Sequence, residues 1–260
     1  MPFDILAWSE AAPGTGTVGI AAPTTEGYKV SGDGIKIQSK ANLLLGLWYA
    51  AESTPGYALL EQPSLGVQYP RFLRSCDLND PDFYAGFNDL LDRPLPLYPN
   101  EFLVAKSNNA TDEDTLIGVI VANGFWNPYR GKIDYRIRGY ADQTLTANAW
   151  TDVSMSWDYN LPDGRYAIVG MTYGAYIASG FMQGFARVKL TETMWRPGVP
   201  IIQAEGDKVQ VMSSMGVAPY HKWALSREIS FKSEAMPDFE VISPAQLTDH
   251  VVELELVKIG

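Results

Sequence analysis

The sequence predicts an all-β protein of sandwich type. Three observations carry that prediction. Short apolar runs rich in β-branched and aromatic residues recur along the chain, Pro- and Gly-rich punctuation separates them, and no amphipathic run of helical period reaches ordinary helix length. At 260 residues the chain has room for two sandwiches of about 100 to 150 residues each, or for one large β-sandwich with long loops.

The opening segment sets Phe3, Ile5, Leu6 and Trp8 ahead of the breaker Ala11-Ala-Pro-Gly14. Residues 1–16 read as an N-terminal arm, whose Phe3 and Trp8 either dock on a neighbouring molecule or pack on their own domain. Val18 to Ile20, Tyr28 to Val30 and Ile35 to Ile37 then read as strands, the last two joined as a hairpin through Ser31-Gly-Asp-Gly34. Asn42 to Glu52 suits a buried strand or a short helix, and Gly46 weakens the helix. Val67 to Leu73 is a strand bent at Pro70, and the three prolines of Arg93 to Pro99 hold that segment extended. Glu101 to Lys106 and Thr115 to Ala122 form the clearest strand pair of the first half.

Asn123-Gly-Phe-Trp-Asn-Pro128 is a turn-rich break that divides a first sandwich, residues 17–125, from a second, residues 126–260. In the second, Ile133, Tyr135 and Ile137 alternate with Asp134, Arg136 and Arg138, the pattern of a half-buried strand. Arg165 to Met171 and Phe185 to Leu190 follow. After Trp195-Arg-Pro-Gly198 come Val199 to Gln203, Val209 to Met212, Phe239 to Ile242 and Val251 to Ile259, with one turn of helix over Pro244 to Asp249. The pair EFLVAK and LIGVIVA of the first half echoes RYAIVGM and FARVKL of the second, as a duplication would.

Composition excludes several classes of function. Hydrophobic residues make up 46%, aromatics 12% and charged residues only 19%, so the chain is globular and leaves neutral surface for contact. Twenty basic against thirty acidic residues give a net charge of −10, which disfavours direct nucleic-acid binding, and no basic N-terminal arm precedes Lys29. The single cysteine, Cys76, offers no intrachain disulfide, which fits synthesis in a cytoplasm. Neither a secretory signal at Met1 to Trp8 nor an apolar run of membrane-spanning length is expected.

No motif assembles a catalytic set, so no enzyme activity and no cofactor are expected. Gly14-Thr-Gly-Thr-Val-Gly19 matches a dinucleotide fingerprint but lacks the preceding strand and the following helix that would meet a pyrophosphate. His221 and His250 are the only histidines, without a G-x-S-x-G elbow or zinc-ligand spacing beside them. Asp77, Asn79, Asp80 and Asp82 form a weak calcium candidate of hard oxygen ligands, although Pro81 breaks EF-hand spacing and Asx turns explain the cluster as well. Asp112 to Asp114 reads as a solvated hairpin tip, and Asp134 and Asp158 are the acids an enzyme would have to use. Asn109-Ala-Thr111 fits a glycosylation sequon. Trp126, Tyr129, Trp150, Trp157 and Trp195 could stack on sugars or fill cores and interfaces, and Trp126 and Trp195 join Phe3 and Trp8 as candidate oligomer contacts.

In its short opening arm, two halves of short strands, Pro- and Gly-rich connections and single cysteine, the chain resembles the double jelly-roll major capsid proteins of tailless, membrane-containing icosahedral bacterial viruses. The segments carrying the likeness are Glu101 to Ala122, Leu161 to Met171 and Phe185 to Gly198. The resemblance implies two jelly-roll β-sandwiches side by side and homotrimers tiling a virion shell with other virion proteins. It further implies assembly in the host cytoplasm and an internal lipid layer as a possible neighbour. The alternative function is a carbohydrate-binding β-sandwich of a phage appendage or lectin type.

Overall fold

The computed structural model describes residues 2–51, 56–73, 76–77, 87–110, 112, 114–177, 184–205, 208–209 and 222–260. The first half holds β1 (Phe3–Glu10), β2 (Gly16–Gly19), β3 (Val30–Ser31), β4 (Gly34–Lys36), β5 (Leu43–Ala51), β6 (Tyr57–Gln62), β7 (Val67–Gln68), β8 (Phe72–Leu73), β9 (Cys76–Asp77), β10 (Asn88–Asp89), β11 (Leu95–Pro96), β12 (Phe102–Asn109) and β13 (Thr115–Ala122). The second holds β14 (Tyr135–Ala141), β15 (Thr151–Val153), β16 (Ser156–Trp157), β17 (Arg165–Ile177), β18 (Phe185–Lys189), β19 (Gly198–Pro200), β20 (Ile202–Glu205), β21 (Lys208–Val209), β22 (Ser230–Lys232), β23 (Asp238–Ile242) and β24 (Thr248–Lys258). Among the described residues the only helix is the 3-10 turn Pro63–Leu65, so none is long and apolar enough to cross a membrane. The fold is all-β and sandwich-like, as the sequence predicts.

Each half builds two sheets, and the two halves are wired alike. In the first, β1-β13-β5-β10 form one sheet, while β12 joins β2 to β6 in the other and β8 closes on β6. In the second, β14-β24-β17-β22 form one sheet and β15-β23-β18-β19 the other. Counting eight principal strands per half, both read 1-8-3-6 and 2-7-4-5, with every one of these pairings antiparallel. The sequence echo is corrected by this order. EFLVAK and LIGVIVA are the seventh and eighth strands of their half, whereas RYAIVGM and FARVKL are the third and fourth of theirs.

The sheets stack in four layers, which explains where the sequence pattern loses its alternation. One face of the β1-β13-β5 sheet presents Leu6, Trp8, Leu47, Tyr49, Ile117 and Val119 to Ile35, Leu60 and Leu103 of its own sandwich. The other face presents Phe3, Ile5, Leu45, Trp48 and Ile120 to the second half, where Phe185 of β18 meets it. A sheet covered on both faces reads as unbroken apolar runs, so β1, β5 and β13 have no polar side to reveal their period. Within the ambiguous segment Asn42 to Glu52, Leu43–Ala51 is strand. The structure also corrects the arm, because residues 3–10 are the first strand of the first sandwich, paired along their whole length with β13.

The two sandwiches stand the same way up. Phe3 lies opposite Ala122 and Tyr135 opposite Leu256, which puts one end of each half beside the 123–134 link. Near that end the backbone N–H of Ile5 donates to the carbonyl of Arg196 at 3.1 Å. At the far end Ser9 Oγ donates to Asn148 Oδ1 at 2.6 Å, in the loop that leads from β14 to β15. Like ends of the two halves therefore meet.

Candidate functional site

Between the sandwiches, within the apolar packing, runs a seam of buried charge. Strand alternation supplies it, because Asp4 on β1, Arg187 on β18 and Glu240 on β23 all take positions that face into the protein. Arg187 Nε donates to Glu240 Oε2 at 2.9 Å, its Nη1 donates to the Ile5 carbonyl at 3.3 Å, and its guanidinium lies 3.9 Å from the centre of the Trp150 ring. Arg196, in the β18–β19 connection, brings Nε to 3.5 Å from the same Glu240 oxygen and donates Nη1 to the Thr193 carbonyl at 3.1 Å.

Asp4 is enclosed on all sides. It accepts hydrogen bonds from the Arg196 backbone N–H and from the Tyr28 hydroxyl, and Lys40 Nζ sits 3.3 Å from its Oδ2. The Trp195 ring caps Lys40 at 3.9 Å. Burial pushes the Asp4 carboxyl above its usual range, with Lys40 and the Arg196 N–H opposing the shift, and burial pulls the Lys40 amine down. Burial also lowers the Arg187 guanidinium, which Glu240 opposes; an arginine keeps its charge under such pressure. The seam thus joins one carboxyl and one amine of the first half to two guanidinium groups and one carboxyl of the second. Once formed it fixes how the halves meet, since removing one partner strands a buried charge.

The tryptophan-arginine pair of the Trp195-Arg-Pro-Gly198 break is part of this seam. Trp195 is buried, as are Phe3 and Trp8, and Trp126 packs edge-on against Phe3 with ring centroids 5.7 Å apart. All four candidate oligomer contacts are therefore engaged inside the chain. This corrects the docking reading of Phe3, Trp8 and Trp195 in favour of the packing one, because Phe3 packs against the second sandwich, Trp8 packs inside its own, and Trp195 lies against Lys40.

The remaining sequence candidates scatter. Of the calcium cluster, Asp77 ends β9, while Asn79, Asp80 and Asp82 lie outside the described residues, as does His221. His250 is buried, its Nε2 paired with the Gln143 carbonyl at 3.0 Å and its ring against Tyr173. Gly16 to Gly19 form β2 and pair with β12, leaving no helix N-terminus beside them. Asp134 accepts from the Lys258 backbone N–H at 3.0 Å and Asp158 from that of Arg138 at 2.9 Å, so both acids are engaged with strand backbone. Asp112 likewise accepts from the Gly14 N–H. Asn109 is buried and bonds Tyr49 and Thr115, so its sequon does not present an open amide.

Glu26, Asp152 and Glu240 bring carboxylate oxygens within 4.8 Å of one another. The protein supplies the countercharge itself. Lys189 Nζ reaches Glu26 and, at 3.1 Å, Asp152, while Arg187 and Arg196 hold Glu240.

The seam residues Asp4, Lys40, Arg187, Arg196 and Glu240 escape motif reading because they come from five separate segments. The available signal was a single charge inside an otherwise apolar run, as in FDILAW, FARV and FEVI. Comparisons of the chain with family models, with curated proteins and with solved structures return no match.

Proposed function

We propose that the protein is a viral coat subunit that associates as homotrimers and, with other virion proteins, tiles an icosahedral shell assembled in the host cytoplasm. The observation that carries this reading is the strand order 1-8-3-6 with 2-7-4-5, found twice in one chain and the same way up. That order is the wiring of an eight-stranded jelly roll, a double-sheet design that shelters strand edges and leaves flat flanks for lateral packing. Two such units fixed side by side by a buried seam make a rigid block with repeated flanks, from which closed symmetric rings can be built. The acidic balance suits contact with other proteins or an internal lipid layer better than with a bare nucleic acid.

Jelly rolls also occur in sugar-binding proteins. A carbohydrate-binding module draws less support from the structure, because Trp195 is buried and Trp126, Trp150 and Trp157 are partly buried against their own chain. Mass photometry and sedimentation velocity test the coat reading on the purified chain. A stable three-copy species that grows into larger closed assemblies is expected. A monomer at all concentrations that selectively binds members of a glycan array would overturn the reading.

A further inference from the structure

Asp4 and Lys40 meet under conditions that ordinary surface ion pairs lack. Lys40 Nζ lies 3.3 Å from Asp4 Oδ2, the Asp4 side chain is wholly buried, and that of Lys40 is 20% exposed. The Lys40 nitrogen itself is buried and, apart from its ion pair with Asp4, finds no hydrogen-bond partner among the described residues, with the Trp195 ring on one side of it. Asp4 Oδ1 faces the Arg196 backbone N–H, and Oδ2 faces the Tyr28 hydroxyl. We propose that Asp4 and Lys40 condense with each other, without added reagent, into an isopeptide bond between Asp4 Cγ and Lys40 Nζ.

The chemistry needs an acid and an amine in their neutral forms, held together away from water. In solution a carboxylate and an ammonium do not react, but burial favours the uncharged form of each of these groups. The neutral Lys40 amine adds its lone pair to Asp4 Cγ and a C–N bond forms. Negative charge builds on Oδ1, where the Arg196 N–H is aimed, as a preorganised donor should be. The intermediate collapses by breaking the Cγ–Oδ2 bond. Oδ2, to which the Tyr28 hydroxyl donates, leaves as water, carrying the proton of the carboxylic acid and a second proton passed to it directly by the new C–N nitrogen. Acid plus amine give amide plus water, with no change of oxidation state and no other reactant. Fixed juxtaposition replaces the activation that a free acid and amine would need.

The product would tie β1 to the connection between β4 and β5 at the linked end of the first sandwich. It does not depend on the coat reading. Intact mass spectrometry of the full chain under denaturing conditions tests it, after incubation of the folded protein at neutral pH. The expected mass is lighter than the sequence by one water, and trypsin should release a branched peptide joining residues 1–29 to residues 37–71, uncut at Lys40. Lys40→Arg should restore the full mass, and Tyr28→Phe should slow the loss of water. A folded wild-type chain of full sequence mass, cleaved normally after Lys40, would overturn the proposal whatever the variants do.

Discussion

The tip of the Phe185 ring meets the backbone of Gly118, so close that a Cβ at position 118 would stand 2.3 Å from the Phe185 Cζ. Gly118 is in the middle of β13 and Phe185 opens β18, so this contact is where one sandwich seats on the other. Trp48 flanks it, with its ring centroid 5.5 Å from that of Phe185. The glycine is required by space and not by backbone freedom.

Gly118→Ala should therefore destabilise the fold by about 1–3 kcal/mol through overpacking. Adding Phe185→Leu should recover part of that loss, because the two residues share one contact and their effects will not add. Urea unfolding of both single variants and the double variant measures the coupling. Strict additivity would show that the ring has an alternative seat.

Arg187→Met should cost about 3–5 kcal/mol, since it leaves Glu240 buried with only the longer Arg196 contact. Arg187→Met with Glu240→Leu should regain most of this, an apolar pair of similar volume being well tolerated there. The exposed ladder of Arg138 with Glu253 on the outer sheet provides the control, and Arg138→Ala should leave the midpoint nearly unchanged.

His250 predicts a pH dependence. Burial lowers its pKa below the ordinary 6.5, so the folded chain holds the ring neutral while the unfolded chain protonates it. The stability it contributes is fully present above the unfolded value and is lost as pH falls through 6.5 toward the depressed folded value. Thermal unfolding of wild type and His250→Gln, compared from neutral pH down to about 5.5, should show the wild type losing more.

Expression in a host that adds N-linked glycans should leave Asn109 unmodified in the folded protein. Its amide donates to Thr115 Oγ1 at 2.9 Å and its carbonyl accepts from the Tyr49 hydroxyl. Peptide mass mapping after expression reads this directly, and a glycan on Asn109 would mean that it is added before β12 and β13 close.

Much of the fold is legible in the sequence because strand composition and turn chemistry are local properties. Tyr135 to Ala141 alternates on the outer sheet, and Leu161-Pro-Asp-Gly164 does end where β17 begins. What stayed hidden is what distance in sequence hides. Phe3 to Trp8 reads as an arm because nothing near it in the chain explains apolar residues on both faces, and the explanation sits on β18, more than half the chain away. The echo between the halves goes out of step for a related reason: residues of similar composition fill strands three, four, seven and eight alike, so composition cannot number them. At the seam, Asp4 and Glu240 each look like one polar residue in an apolar strand. Only the fold inside each half brings them to their cations, Asp4 to Lys40 from the β4–β5 connection and Glu240 to Arg187 across the β18–β23 pair.

The same-way-up stacking gives the molecule a direction. Residue 2, residue 260 and the 123–134 link all lie toward one end, where Gly260 accepts from the Arg165 N–H and Trp126 packs on Phe3. The link and the last strand carry Arg130, Lys132 and Lys258 there, whereas Glu10, Asp112 and Asp142 lie at the opposite end. A peptide fused at residue 2 and another fused at residue 260 would leave from a single face, so a reporter on each should report proximity. Cargo meant for the far face would have to be spliced into a loop such as the one between β1 and β2.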